Sequence, residues 1–163
     1  RNLNLNNLIV YDYGISESNK KFTVFYPRYR FLGKNLDLIT YTFYKKKDLI
    51  NQIDRDFKFK KGISIIQKSI NLRKVKKVKY KISLIKVDVN GHELSVIKGL
   101  ENIIRKDRPV LIIETDNKIN KIEFFLKKLK YKKYSFSKNK NKFENIKNEY
   151  PLNTYFLQNS HLR

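Results

Sequence analysis

The chain has 163 residues, 40% of them hydrophobic, which is enough for one core and one domain spanning 1–163. It contains no cysteine, so disulfides and thiolate metal sites are excluded, and a reducing cytoplasm is the expected compartment. No apolar run approaches the roughly 18 residues of a membrane-spanning helix, and Arg1-Asn2-Leu3 lacks the apolar core of a signal peptide. The 37 Lys and Arg against 15 Asp and Glu give a formal charge of +22. Such an excess has two readings. It favours polyanions such as nucleic acid, acidic membrane surfaces or anionic glycans. It also fits a composition dominated by Lys, Asn and Ile, in which lysines fill solvated faces in ones to threes.

In chain order, the β-rich run 8–13 reads as a first strand ended by Gly14. The run 22–26 reads as a second strand, stopped by Pro27. Between 28 and 61 the pattern is weak, with a short helix expected over 48–57. A strand is expected at 63–66, and a short amphipathic helix or turn at 72–78. From residue 81 the signal sharpens. Residues 82–88 are apolar enough for a buried parallel strand. Leu94, Ile97, Leu100 and Ile104 recur at helical spacing over 94–104. A second apolar strand, 110–114, ends in Glu114, and Ile119, Ile122, Leu126 and Leu129 mark a second helix. The runs 131–136 and 154–157 read as two late strands, a hairpin with a long Lys/Asn tip. Apolar strands alternating with amphipathic helices predict βαβ units with right-handed crossovers. Ligands of such sheets sit beyond the carboxyl ends of the strands, where Asp88 and Glu114 fall.

The turn Asp88-Val89-Asn90-Gly91-His92-Glu93 joins a strand end to a helix start. Gly91 gives freedom where a side chain would obstruct. Asn90 with Glu93 three residues on fits a capping-box-like pattern. A carboxylate at Asp88, beside a helix N-terminus, is placed to meet a ligand or to bond the turn's backbone. His92 reads as a surface or packing residue, and His161 near the C-terminus carries no role. Two separated histidines and no cysteine predict no metal site.

These residues resemble the later half of the FkbM-type S-adenosylmethionine-dependent methyltransferases. The resemblance rests on Leu84-Ile85-Lys86-Val87-Asp88-Val89-Asn90-Gly91-His92-Glu93, on Val96-Ile97-Lys98-Gly99 and on Leu111-Ile112-Ile113-Glu114. Tyr13-Gly14-Ile15-Ser16 is similar to the family's segment after its third strand, and 131–136 and 153–157 to its last two strands. Most of the chain is touched, but the match is specific only over about 82–114. It implies a single partial methyltransferase domain with a Rossmann-like class I sheet, N-terminally truncated, mostly parallel with an antiparallel late hairpin. Asn90 stands where the family usually has Glu. The family's glycine-rich cofactor loop and acidic ribose-binding strand end find no counterpart, so about 60 residues, two strand–helix units, are expected to be missing. The isolated chain is then expected to bind cofactor weakly or not at all.

The resemblance further implies S-adenosyl-L-methionine as cofactor of the complete enzyme and O-methylation of a hydroxyl, commonly on a sugar or glycan. Asp88 is then the expected catalytic group, aligning the acceptor or taking its proton. Glu93 comes second, and Glu114 orients the acceptor. Gly14, Ile15, Ser16 and Asp88 are the expected cofactor contacts. The expected partner is a small-molecule or glycan acceptor, with no specific nucleic acid. Two other readings stay open: a basic nucleic-acid-binding module, suggested by charge and 13% aromatics, and a catalytically empty scaffold.

Overall fold

A computed structural model describes residues 7–58, 60–115, 118–146 and 150–162. The chain groups into two compact units, 1–14 with 19–73 and 15–18 with 74–163.

The first unit is built on antiparallel strand pairs. Strands β1 (Gly14–Ile15), β2 (Lys20–Phe31), β3 (Lys34–Asp37) and β4 (Ile63–Arg73) form a sheet in the order β1-β4-β2-β3. β2 and β4 pair antiparallel from Lys20↔Leu72 to Tyr29↔Ile63. β2 turns into β3 through Leu32 and Gly33, both at positive φ (46° and 76°), as tight primed hairpin turns require. Helix α1 (Lys46–Asp56) buries Leu49 and Ile53 on one stripe. Arg28 clamps Asp37 on β3 through Nε and Nη2, a two-point contact that holds the carboxyl below its usual range.

Three expectations fail here. Residues 8–13 form no strand: Leu8, Ile9, Val10 and Tyr11 are 62–80% exposed, and β propensity without a neighbour to pair does not make a sheet. Pro27 does not stop the second strand. Its carbonyl accepts from Leu38 just beyond the end of β3, so its missing N–H faces a place where that ladder has already ended. No helix forms at 72–78, because the ladder with β2 carries β4 through Leu72 to Arg73.

The second unit holds the main core. Its sheet runs β5 (Leu84–Val87), β6 (Val110–Glu114), β9 (Asn153–Leu157), β7 (Lys132–Ser137), β8 (Lys142–Asn145). β5 and β6 are parallel, as expected, with Leu84↔Val110 through Val87↔Ile113. β9 runs antiparallel to both β6 and β7, so β5, β6 and β7 share one direction. The expected late hairpin is present as β7 and β9, but β8 was not anticipated, and 147–149 of its loop lie outside the described residues. The pairs β2–β3, β2–β4, β6–β9, β7–β8 and β7–β9 are antiparallel, and β5–β6 is parallel. The expectation of a mostly parallel sheet is corrected accordingly, since the weakly patterned stretch 20–73 pairs antiparallel, with β2 lying between β3 and β4.

The helix expected over 94–104 is two, α2 (Glu93–Gly99) and α3 (Glu101–Asp107), broken at Leu100. The apolar stripe continues across the break through Ile97, Leu100, Ile103 and Ile104, all buried. Helix α4 (Ile119–Lys127) packs beside α2 and buries Ile119, Ile122 and Leu126. Both crossovers step the same way along the sheet, so right-handed connections bring these helices to one face. Leu111, Ile113 and Phe156 fill the core beneath them, each worth about 1.5–3 kcal/mol on burial.

Candidate active site at the strand ends

Parallel register sets the site. Val87 pairs with Ile113, so the next residues, Asp88 and Glu114, emerge side by side at the carboxyl ends of β5 and β6. Glu114 in turn pairs with Asn153 on β9, and directly opposed residues share a face. Since strands alternate, this row of Asp88, Glu114 and Asn153 lies on the face opposite Val87 and Ile113, which are buried in the core.

The two carboxyls are pushed apart. Lys86, on the same strand face as Asp88, bonds its Oδ2, and that bond above all holds the Asp88 carboxyl below its ordinary value, with Glu114 helping. Glu114 is raised, first by burial, then by Asp88, through a hydrogen bond as well as its charge, and by the Glu93 charge. Asp88 is half exposed, while Glu114 is half-buried. The arrangement keeps one carboxyl ionised and makes its neighbour hold a proton more readily. Among the described side chains, the Asn153 Oδ1 beside Glu114 is buried with no hydrogen-bond partner.

The turn that presents Asp88 is pinned from beneath. Asn90 and Gly91 take positive φ (52° and 93°). Glu93, only 1% exposed, accepts through Oε1 from the Gly91 amide at 2.9 Å and the Val89 amide at 3.3 Å. The expected capping box does not form: the N-cap is His92, not Asn90, and Glu93 reaches back into the turn. Lys118 Nζ donates to the Gly91 carbonyl at 2.6 Å and ties the start of α4 to the same turn. Glu93 therefore shapes the turn, whereas Asp88 and Glu114 face outward.

Of the expected cofactor contacts, Ser16 is fully buried and its Oγ lies 2.9 Å from Ser95 Oγ. Ile15 packs against the core of the second unit, and Gly14 lies in the first, where a Cβ would meet Leu72 Cδ2 at 2.6 Å. Gly99 admits the 15–18 segment: a Cβ there would sit 2.3 Å from the Ser16 carbonyl oxygen. Lys86, Lys118 and Asn153 were not singled out from sequence. Lys86 had a signal, being two residues before Asp88 and hence on its side of a strand. Asn153 had none, since only the β6–β9 register brings it there.

These features define an α/β protein whose polar site sits at the carboxyl ends of adjacent parallel strands, where open α/β sheets bind ligands. The methyltransferase FkbM domain matches residues 5–137, and the chain belongs to that family. No curated protein and no solved structure matches it. Membership brings methyl transfer as the class of activity. Among the described residues, no helix is long and apolar enough to cross a membrane.

Proposed function

We propose that this chain carries the acceptor side of an S-adenosylmethionine-dependent O-methyltransferase acting on a hydroxyl of a sugar or glycan. The observation that carries the reading is the Asp88–Glu114 pair, two carboxyls set side by side at the carboxyl ends of neighbouring parallel strands, with Lys86 holding Asp88 low and burial raising Glu114. Sites with acid and base roles are built from titratable groups driven apart in this way. Ionised Asp88 accepts a hydrogen bond from the acceptor hydroxyl and takes its proton as the oxygen attacks. Glu114 donates to, or accepts from, a neighbouring oxygen and fixes the acceptor's orientation. A carboxylate beside a carboxyl suits a vicinal diol, which has two hydroxyls to place.

S-adenosylmethionine, when bound, supplies the methyl group on a positively charged sulfonium. The anionic strand ends fit that charge. Glu93 and Lys118 hold the turn on which Asp88 is carried, and positioning of this kind is most of what an in-line displacement asks of a protein.

The test is methyl transfer from S-adenosylmethionine to a panel of sugar acceptors by the complete enzyme, comparing Asp88→Asn with the parent. Removing the charge while keeping the shape should cost about 10²–10⁴ in rate, the range of a general base. Glu93→Gln should retain most activity, since an amide oxygen can still accept from the turn. Equal turnover in the Asp88 variant, with cofactor binding intact, would make Asp88 structural.

A further inference from the structure

We propose that a hollow between the C-terminal ends of α3 and α4 is a binding site for the phosphate group of a small ligand. The hollow has a volume of about 240 Å³ and is floored by Ile104 and Leu129. Four cationic residues line it, Arg105 on α3 with Arg108 at its C-cap, and Lys128 and Lys130 just beyond α4, and no acidic residue does. Arg105 also pairs with Glu101 on its own helix, and Lys128 lies over the Phe124 ring. Among the described residues, no carboxylate pairs with Arg108, Lys128 or Lys130.

Charge alone does not distinguish this place on so basic a chain, but backbone conformation does. Arg108 ends α3 in the left-handed region (φ 52°, ψ 53°), its amide bonding the Ile104 carbonyl. Lys130, in the turn that closes α4, is also left-handed (φ 65°). The Tyr131 amide reaches Leu126 and the Lys130 amide reaches Lys127, which together form a Schellman turn. Glycine is the usual residue at both positions. Here an arginine and a lysine hold them at a cost in strain, and both line one hollow. Strain kept at a site is a pointer to function.

The wall is also fixed. Gln158 Nε2 donates to the Leu129 carbonyl at 2.8 Å, and the Gln158 amide donates to His161 Nδ1 at 2.9 Å. With Nδ1 accepting, the imidazole proton is on Nε2, which donates to the Arg108 carbonyl at 2.8 Å. Two carbonyls that would repel an anion at these helix C-termini, those of Leu129 and Arg108, are thus engaged. What remains is guanidinium and ammonium over an apolar floor, the donor set that takes a phosphate dianion. The hollow lies at the start of β6 and β7, the opposite end of those strands from Glu114, and its occupancy does not depend on the methyl-transfer reading.

The experiment is a titration of the full chain, followed by amide NMR shifts at constant ionic strength. Inorganic pyrophosphate and glycerol phosphate are the probes, and the tighter of the two identifies a diphosphate or a monoester source. Saturable shifts confined to Arg108, Leu129, Lys130 and Gln158 are expected. The decisive variant is Arg108→Gly with Lys130→Gly, which relieves the strain and should leave the melting temperature unchanged or raised. It should weaken binding by at least about tenfold, since charge-assisted bonds are lost. Lys76→Gln with Lys77→Gln should change nothing. Unsaturable shifts spread over surface lysines, or equal affinity in the glycine variant, would overturn the proposal. So would displacement of pyrophosphate by a short DNA duplex whose shifts run on past the hollow.

Discussion

The two units build their sheets by different means. β4 is 11 residues long and buries one side chain fully, Leu72. β6 has 5 residues, and both Leu111 and Ile113 are 0% exposed. In the first unit the sheet is held by a long antiparallel ladder with a thin cover from α1, whereas in the second short strands are held by the core packed on them. A ladder spreads its stability over many exchangeable hydrogen bonds, each worth about 1 kcal/mol net. A core concentrates it in a few side chains.

The largest effect that could break this comparison is therefore a cavity. Ile113→Ala should cost about 2–5 kcal/mol, the range for truncation in a close-packed interior. Ile66→Ala on β4, half-buried opposite Tyr26, should cost about 1 kcal/mol. Urea denaturation of the two variants measures both. Equal losses would mean that the second unit is no more core-dependent than the first.

The same contrast decided what could be read in advance. Continuous apolar runs such as Val110-Leu111-Ile112-Ile113 mark strands, so β5, β6 and the helices between and after them were legible, and so were Asp88 and Glu114 at their ends, although only alternate residues, such as Leu111 and Ile113, are buried. β2 and β4 carry charged and polar residues through most of their length, and their pairing comes from ladder register, which leaves no periodic trace. Leu72, Val75 and Val78 even mimic a helical stripe, and only the partner strand overrides it. Within the site, Glu93 shows the limit of local patterns. The Asn90–Glu93 spacing suggested a cap, yet positive φ at Asn90 and Gly91 turns the chain so that Glu93 bonds amides of the turn instead.

Two glycines sharpen the comparison at a smaller scale. Gly99 is helical, and its constraint is space, because a Cβ would press on the Ser16 carbonyl carbon and oxygen at 2.5 and 2.3 Å. Gly33 has open space around it and is constrained by its φ of +76°. Gly99→Ala should cost about 3 kcal/mol, the upper end for overpacking against backbone. Gly33→Ala should cost about 1–2 kcal/mol from the left-handed conformation. Asn should rescue position 33, since it tolerates that region, and Ser should not rescue position 99. Thermal melts of the four variants give the answer, and rescue at 99 would show that the 15–18 segment is not held against α2.

The smallest expected effects are electrostatic, and they should have opposite signs in the two units. Asp37 is held below its ordinary value of 3.8 by Arg28. Its contribution is therefore present above the unfolded value and is lost as pH falls through the folded one. Glu114 is held above its ordinary value of 4.5 by burial and by Asp88 and Glu93. A raised carboxyl stabilises the fold while it keeps its proton, and that contribution is fully present below the unfolded value and disappears as pH rises through the folded one. Asp37→Asn should thus lower the melting temperature at neutral pH, and the difference from the parent should close in acid. Glu114→Gln should match the parent in acid, where both side chains are neutral, and exceed it as pH climbs past the ordinary glutamate range. The exposed Arg28–Asp37 contact should also weaken with salt, while the half-buried Glu114 responds less. If Glu114→Gln instead loses stability at neutral pH, the carboxylate is stabilised there by partners other than Asp88 and Glu93. The opposed pair on which the acceptor chemistry rests would then not exist.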